Sequence, residues 1–306
     1  MNIRLLKLRY FLAAVRSKLS LFVRRPSAFL FYVRHYSTEL PVARRADVVV
    51  VSYPKSGRTW LEMLILAALG HHTHRDYDED TTYSNVAAKS PDLPLVIFTH
   101  AGGSWETAML TAHEIADHVP PNIIDRRFIY LYRDPRDVLV SAYHHARNRS
   151  EIPWLRPRDM LDDPIIGLPK LIAFMNNWRR QAETAGTRAM CVSYETLKEK
   201  PHQTFGALCK FMALPFSDEE IRKAVEDCGF ERLRQRESMT STGNPWLRPM
   251  DRANPDSFKF REGRTGGHKS FFTPEQIEWV ENYMAKHLLG AEEFLGNRAE
   301  VADVGS

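Results

Sequence analysis

Cysteine is the scarcest informative residue in this 306-residue chain: only Cys191, Cys209 and Cys228 are present. Their number is odd, they lie far apart, and none forms a C-x-x-C pair. A disulfide framework or a cysteine-held zinc is therefore not expected, and a reducing, cytoplasmic setting fits, with the three thiols as small buried hydrophobes. Long apolar runs are missing as well. No stretch approaches the ~18–20 residues of a membrane span, and no small-residue cleavage site follows a long apolar core, as a secretory leader would require. No internal repeat and no metal-ligand cluster stand out, so no metal is called for. Charge is close to balanced, at +4 formally, which favours anionic ligands mildly and does not mark a nucleic-acid binder.

Acid is lacking most sharply at the start. Residues 1–45 carry Arg4, Lys7, Arg9, Arg16, Lys18, Arg24, Arg25, Arg34, Arg44 and Arg45 against the single acid Glu39, with aromatics between them. Three roles remain open for this basic arm: peripheral contact with an anionic membrane surface, a packed pair of N-terminal helices, or an organelle address.

From Asp47 onward the pattern turns regular. Val48–Val51 is an uninterrupted β-branched run, as for a strand buried on both faces of a parallel sheet, and 95–98, 128–132 and 189–192 read alike. Helical patterns lie between and after them. Leu61, Leu64, Ile65 and Ala68 form one stripe. Near the end, Thr273, Pro274 and Gln276 spell a helix start with a capping box, and Ile277, Val280, Met284 and Leu288 its buried face. The expected fold is α/β: a three-layer parallel sheet flanked by helices, with ligands at the carboxyl ends of the strands. One catalytic domain over 46–290 is expected, after the arm of 1–45 and before a polar, frayed tail of 291–306. Residues 239–258, with Gly243, Pro245, Pro249 and Pro255, read as loop.

Three motifs carry chemistry. Ser52-Tyr53-Pro54-Lys55-Ser56-Gly57-Arg58-Thr59-Trp60 follows the first strand and opens a helix, where backbone N–H groups and the helix dipole make an anion site. The Gly-Lys-Ser/Thr order of a Walker loop is absent. Arg133 stands at the end of the third strand, before a helix capped by Asp134 and started by Pro135. Ser141 follows about two turns, ~9 Å, along it, so that the two can converge on one phosphate. Phe260-Arg261-Glu262-Gly263-Arg264-Thr265-Gly266-Gly267-His268-Lys269 is a basic loop whose glycines admit close backbone approach to an anion. Each motif alone reads equally well as a structural turn, a surface ion pair or a flexible loop.

Together and in this order, they resemble the family of sulfotransferases that use 3′-phosphoadenosine 5′-phosphosulfate (PAPS), over residues 48–288. The resemblance implies a fold like that of P-loop kinases and a first loop, Lys55, Ser56, Gly57, Arg58, Thr59 and Trp60, that grips the 5′-phosphosulfate. It implies that Arg133, Ser141, Arg261 and Gly263, with Glu262 between the last two, surround the 3′-phosphate. Trp60 and Phe230 would sandwich the adenine, and Tyr194 would touch its edge. His100, in Phe98-Thr99-His100, would be the general base on an acceptor hydroxyl or amine, and Lys55 would offset charge on the leaving phosphate. The acceptor is expected to be a small molecule, lipid or glycan. Trp105, His144, His145, Trp154 and Trp246 are candidates both for its cleft and for ordinary packing.

Several positions depart from the cytosolic members. Arg58 stands for threonine, Phe98 for a frequent lysine, Glu262 for lysine, and Gly267-His268 for Asp-Trp. Glu262 is expected to weaken the positive field on the phosphate. Two rival readings remain: a P-loop phosphoryl-transfer kinase and a non-catalytic adenine-nucleotide module. Arg58 after Gly57 and the want of an acidic strand end disfavour the kinase; Lys55, His100 and Ser141 disfavour the module.

Overall fold

The computed structural model describes residues 45–77, 81–105, 110–120, 123–150, 152, 154–239 and 251–296, with Leu8 and Arg45 from the arm. The rest of the basic arm, residues 240–250 with the candidate Trp246, and residues 297–306 lie outside the described residues.

Four parallel strands form one sheet: β1 (Val48–Ser52), β2 (Val96–Thr99), β3 (Arg127–Tyr132) and β4 (Ala189–Ser193), in the order β2-β1-β3-β4. The chain steps from β1 to one side for β2 and then returns to the other side for β3. Where the order reverses, the loops leaving β1 and β3 diverge and open a crevice at their carboxyl ends. Helices flank the sheet, as the alternating pattern requires. Those that position the site are α1 (Arg58–Thr73), α2 (Pro135–Asn148), α3 (Leu168–Ala185), α4 (Tyr194–Glu199), α5 (Asp218–Asp227), α6 (Phe230–Met239), α7 (Pro274–His287) and α8 (Glu292–Leu295).

The apolar patterns do what their periods dictate. All five residues of β1 are buried, and Leu61, Leu64, Ile65 and Ala68 of α1 are fully buried. Asp134 caps α2 by accepting from the Arg136 N–H at 2.9 Å, with Pro135 at its first position. Thr273 and Gln276 close the capping box of α7. Val280 and Met284 are buried on α7 and Leu288 just past its end, whereas Ile277 is only partly covered.

Two expectations need correction. Cys209 and Cys228 are buried, but Cys191 is exposed, because β4 is an edge strand and only its last two residues are covered. The stretch after Gly290 does not fray at once. Its polar residues through 296 dock: the Tyr132 hydroxyl donates to Glu293 at 2.7 Å, Arg179 pairs with Glu293, and Arg136 donates to the Phe294 carbonyl at 2.8 Å. That segment has no apolar period, so its anchoring by long-range polar bonds left no trace in the pattern.

Candidate active site

The loop from β1 to α1 is shaped by its own backbone. Lys55 and Gly57 both adopt left-handed conformations, with φ of 76° and 98°. Alternation of this kind turns successive N–H groups toward one concavity. Gly57 also begins α1 and offers no side-chain oxygen to cap it, so the positive end of the helix is left to other partners. A side chain at Gly57 would collide with Tyr194, whose Cδ2 would lie 2.6 Å from the added Cβ. Tyr194 begins α4 and roofs the loop, with the Arg133 guanidinium on its ring at 4.4 Å and Trp60 edge-on at 5.8 Å. Trp60 is fixed in turn by donating from Nε1 to the Cys228 carbonyl at 3.0 Å, which ties α1 to the turn before Phe230.

His100 follows β2, next to β1 in the sheet. Its Nδ1 lies 2.8 Å from the Ser52 carbonyl. A carbonyl only accepts, so Nδ1 carries the proton and the lone pair of the neutral ring sits on Nε2. The backbone thus fixes the tautomer that a base needs. Lys55 Nζ is 3.3 Å from Nδ1 of His145, and Trp105 meets the His145 ring edge-on at 5.8 Å. A second imidazole therefore stands beside the loop lysine.

Arg133 connects the two halves of the crevice. It donates to the Lys55 carbonyl at 3.4 Å and to the Arg264 carbonyl at 3.2 Å. Its buried Nε has no hydrogen-bond partner among the described residues. Beyond it, the segment of 259–266 has no strand or helix of its own, and two buried carboxylates hold it. Glu237 of α6 accepts the Lys259 N–H at 2.6 Å and the Phe260 N–H at 2.9 Å. Asp137 of α2 accepts the Gly266 N–H at 2.7 Å, the His268 N–H at 3.2 Å and His268 Nδ1 at 2.9 Å. Burial alone would raise the Asp137 carboxyl, but His268, the Arg133 charge and the two backbone donors outweigh it and hold it at about 2. Gly263, at φ 59°, lies so close on Phe230 that any side chain would enter the ring. Lys198 reaches over to donate to the Gly263 carbonyl. Burial and the neighbouring Arg133 charge lower its amine. Glu262 accepts from both Arg261 and Arg264, so it binds the loop's own guanidiniums.

Lys55, Gly57, Arg58, Thr59, Trp60, His100, Arg133, Ser141, Tyr194, Phe230, Arg261, Glu262 and Gly263 line a single cavity of about 1410 Å³. Ser56, almost wholly buried beneath the loop, is the one candidate that does not. Of the other aromatic and histidine candidates, Trp105 and His145 line it too. His144 faces Asp256 at 3.4 Å and the Phe271 ring instead, and Trp154 packs on the core. Asp137, Glu237 and Lys198 were not singled out from the sequence. Asp137 stands in the first turn of α2, where an acid is ordinary, and Glu237 in a helix rich in charge.

The sulfotransferase domain family model matches residues 45–292. The chain belongs to that family and is a sulfotransferase. It is 27% identical over 267 residues to flavonol 4′-sulfotransferase of Flaveria chlorifolia, covering 80% of each chain. It is 25% identical over 270 residues to cytosolic sulfotransferase 17 of Arabidopsis thaliana, covering 81% of this chain and 76% of that one. Solved structures share the fold. Mouse sulfotransferase SULT7A1 complexed with PAP has TM-score 0.57 at 17% identity, covering 86% of this chain and 94% of that one. Retinol dehydratase in complex with androsterone and inactive cofactor PAP has TM-score 0.54 at 19% identity, covering 80% and 81%.

Proposed function

We propose that this sulfotransferase moves the sulfuryl group of PAPS onto a hydroxyl or amine of a small acceptor, with His100 as the general base. The observation that carries the reading is the convergence of the three motifs on one cavity, although Lys55 of the first and Gly263 of the last are 208 positions apart (263 − 55). The residues fit such a donor. An uncapped helix start and a left-handed Lys55–Gly57 turn suit the phosphosulfate. At the other end, the Gly263 backbone lies on Phe230 with no room for a Cβ, which leaves a flat wall for a base and a backbone free to approach a phosphate. Bound there, PAPS would supply an activated sulfuryl group, so the protein's task is to orient it and to move one proton.

In that task His100 Nε2 takes the proton of the acceptor as its oxygen or nitrogen attacks, and the Ser52 carbonyl steadies the imidazolium through Nδ1. Lys55 places a positive charge where negative charge collects on the departing phosphate. Arg133, Ser141 and Arg261 hold the 3′-phosphate, with Trp60, Phe230 and Tyr194 around the adenine. The cavity wall is mixed: Met63, Leu66, Phe98 and Trp105 give it apolar lining, and His145 polar lining. A small aromatic molecule, a lipid or a glycan terminus suits it. Among the described residues no helix is long and apolar enough to cross a membrane. Peripheral contact through residues 1–45 belongs to the same reading.

The test is transfer of label from sulfur-labelled PAPS to a panel of phenolic, lipid and sugar acceptors without added magnesium. Labelled, sulfated product is expected. Transfer from labelled ATP but not from PAPS would overturn the reading in favour of a kinase.

A further inference from the structure

Asp137 and His268 form a buried couple beside Arg133, and each is only 3% exposed. The carboxylate divides its two oxygens between different partners. Oδ1 accepts the His268 backbone N–H at 3.2 Å and the imidazole Nδ1–H at 2.9 Å. Oδ2 accepts the Gly266 N–H at 2.7 Å and faces Arg133 Nη2 at 3.9 Å, too far for a hydrogen bond. Nε2 of the buried ring has no hydrogen-bond partner among the described residues. The polar bond that the imidazole does make is therefore the one to Asp137. Its backbone is fixed from the other side, where the His268 carbonyl accepts from Phe271 N–H at 3.1 Å and from Phe272 N–H at 3.0 Å. Phe272 is a core residue, so the ring is anchored independently of the loop of 259–266.

A carboxylate beside a guanidinium ordinarily draws it into a two-pronged ion pair. Here it does not. Arg133 stays bonded to the Lys55 and Arg264 carbonyls, at 3.4 and 3.2 Å, and its buried Nε has no partner among the described residues. We propose that His268 is a positioning residue for the donor: its Nδ1–H satisfies Asp137 and so leaves Arg133 open to the 3′-phosphate. The proposal rests on the PAPS reading above and adds a residue to it that does not line the cavity. Asp137 does line it, so the imidazole acts through the carboxylate. Two donors from His268 on Oδ1 hold the plane of the carboxylate, and the Gly266 N–H occupies Oδ2. Without the imidazole proton, Asp137 turns toward the guanidinium, and an incoming phosphate must then compete with a carboxylate for Arg133.

Calorimetry on the full chain tests this with two dead-end ligands, adenosine 3′,5′-bisphosphate and adenosine 5′-monophosphate, the second lacking the 3′-phosphate. His268→Phe keeps a ring and removes the donor, whereas His268→Asn keeps an N–H near the place of Nδ1. Thermal melts check that each variant is folded, and His268→Met stands in for the phenylalanine variant should that one not fold. His268→Phe is expected to weaken the bisphosphate about tenfold and to leave the 5′-monophosphate within about twofold of wild type. His268→Asn should recover most of the bisphosphate affinity. Added to Arg133→Ala, His268→Phe should weaken the bisphosphate no further, because its effect passes through that guanidinium. Equal losses for both nucleotides, no loss in His268→Phe, no recovery in His268→Asn, or a full further loss in the Arg133→Ala background would overturn the proposal. If wild type binds neither nucleotide, or both equally well, the PAPS reading itself fails and the role of His268 fails with it.

Discussion

The two ends of the crevice are built in opposite ways. The β1–α1 loop makes its shape locally: two left-handed residues, a helix start and the last carbonyl of its own strand, which also sets the His100 tautomer. The segment of 259–266 also has two left-handed residues, Gly263 and Gly266, and its own Glu262 bonds to Arg261 and Arg264. It has no strand or helix, however, and buried partners elsewhere hold its ends. It is held from outside by Asp137 on α2 and Glu237 on α6, by Lys198 on α4, and by the Arg133 bond to Arg264. The first region suits chemistry, where a few tenths of an ångström matter, and the second suits binding. A borrowed loop can also yield when the nucleotide enters or leaves. The difference predicts that damage to the first region shows in turnover, and damage to the second in affinity and stability.

The sharpest break of that comparison is His100→Ala. Loss of a general base typically costs about 10²–10⁴-fold, so turnover is expected to fall that far while calorimetry finds donor affinity nearly unchanged. The wild-type rate should also decline toward acid, as the imidazole lone pair is lost to protonation. If His100→Ala keeps most of its turnover with a good acceptor, the base must be sought nearby, and His145 beside Lys55 is then the first choice.

Arg133 belongs to both regions, and Arg133→Ala should therefore hurt both. Removal of its charge-assisted bonds is expected to weaken nucleotide binding about ten- to a hundredfold. The Lys55 and Arg264 carbonyls also lose a donor. Ser141→Ala, which leaves those loop bonds in place, should weaken binding less. Equal effects from the two would mean that Arg133 does not bridge the loops in solution.

Asp137→Asn tests the borrowed loop directly. The carboxyl is buried and its folded-state value of about 2 lies below the ordinary 3.8. A depressed carboxylate adds stability that is fully present above the unfolded value and is lost as pH falls through the folded one. The shift corresponds to roughly 2 kcal/mol. Denaturant unfolding at neutral pH should show a loss of about that size in Asp137→Asn. The wild type's decline between about pH 4 and pH 2 should flatten by the same amount. An Asn variant as stable as wild type, with the same acid limb, would show that Asp137 does not pin the loop.

What the sequence disclosed follows the same divide. The strands, the α1 stripe, the Thr273 capping box and the Lys55 loop are local patterns, each written within about fifteen residues, and all could be read. The clamps could not. Asp137 meets Gly266 across 129 positions, and Glu237 meets Lys259 across 22, with nothing in either neighbourhood to mark the partner. Cys191 and the docked residues after Gly290 escaped for the same reason: strand order and long-range polar bonds, which no periodicity encodes, decide their surroundings.

Glu262 gives the smallest and most discriminating effect. Read as a charge alone, its carboxylate repels the phosphate, and lysine there should tighten binding. The structure adds a second role, because the same carboxylate accepts from Arg261 and Arg264 and so aims both guanidiniums. Glutamine separates the two roles in part: it removes the negative charge and keeps one oxygen, which can accept from one of the two arginines, since they bond different carboxylate oxygens. Lysine removes both and sets a third cation against the two arginines. Glu262→Gln is therefore expected to tighten adenosine 3′,5′-bisphosphate by no more than about threefold, since the site is partly exposed and screened, and the gain should shrink as salt is added. Glu262→Lys should show no such gain. Calorimetry at low and high ionic strength decides the matter. Tighter binding by the lysine variant would mean that charge alone governs this loop; weaker binding by the glutamine variant would mean that the full carboxylate is needed to aim Arg261.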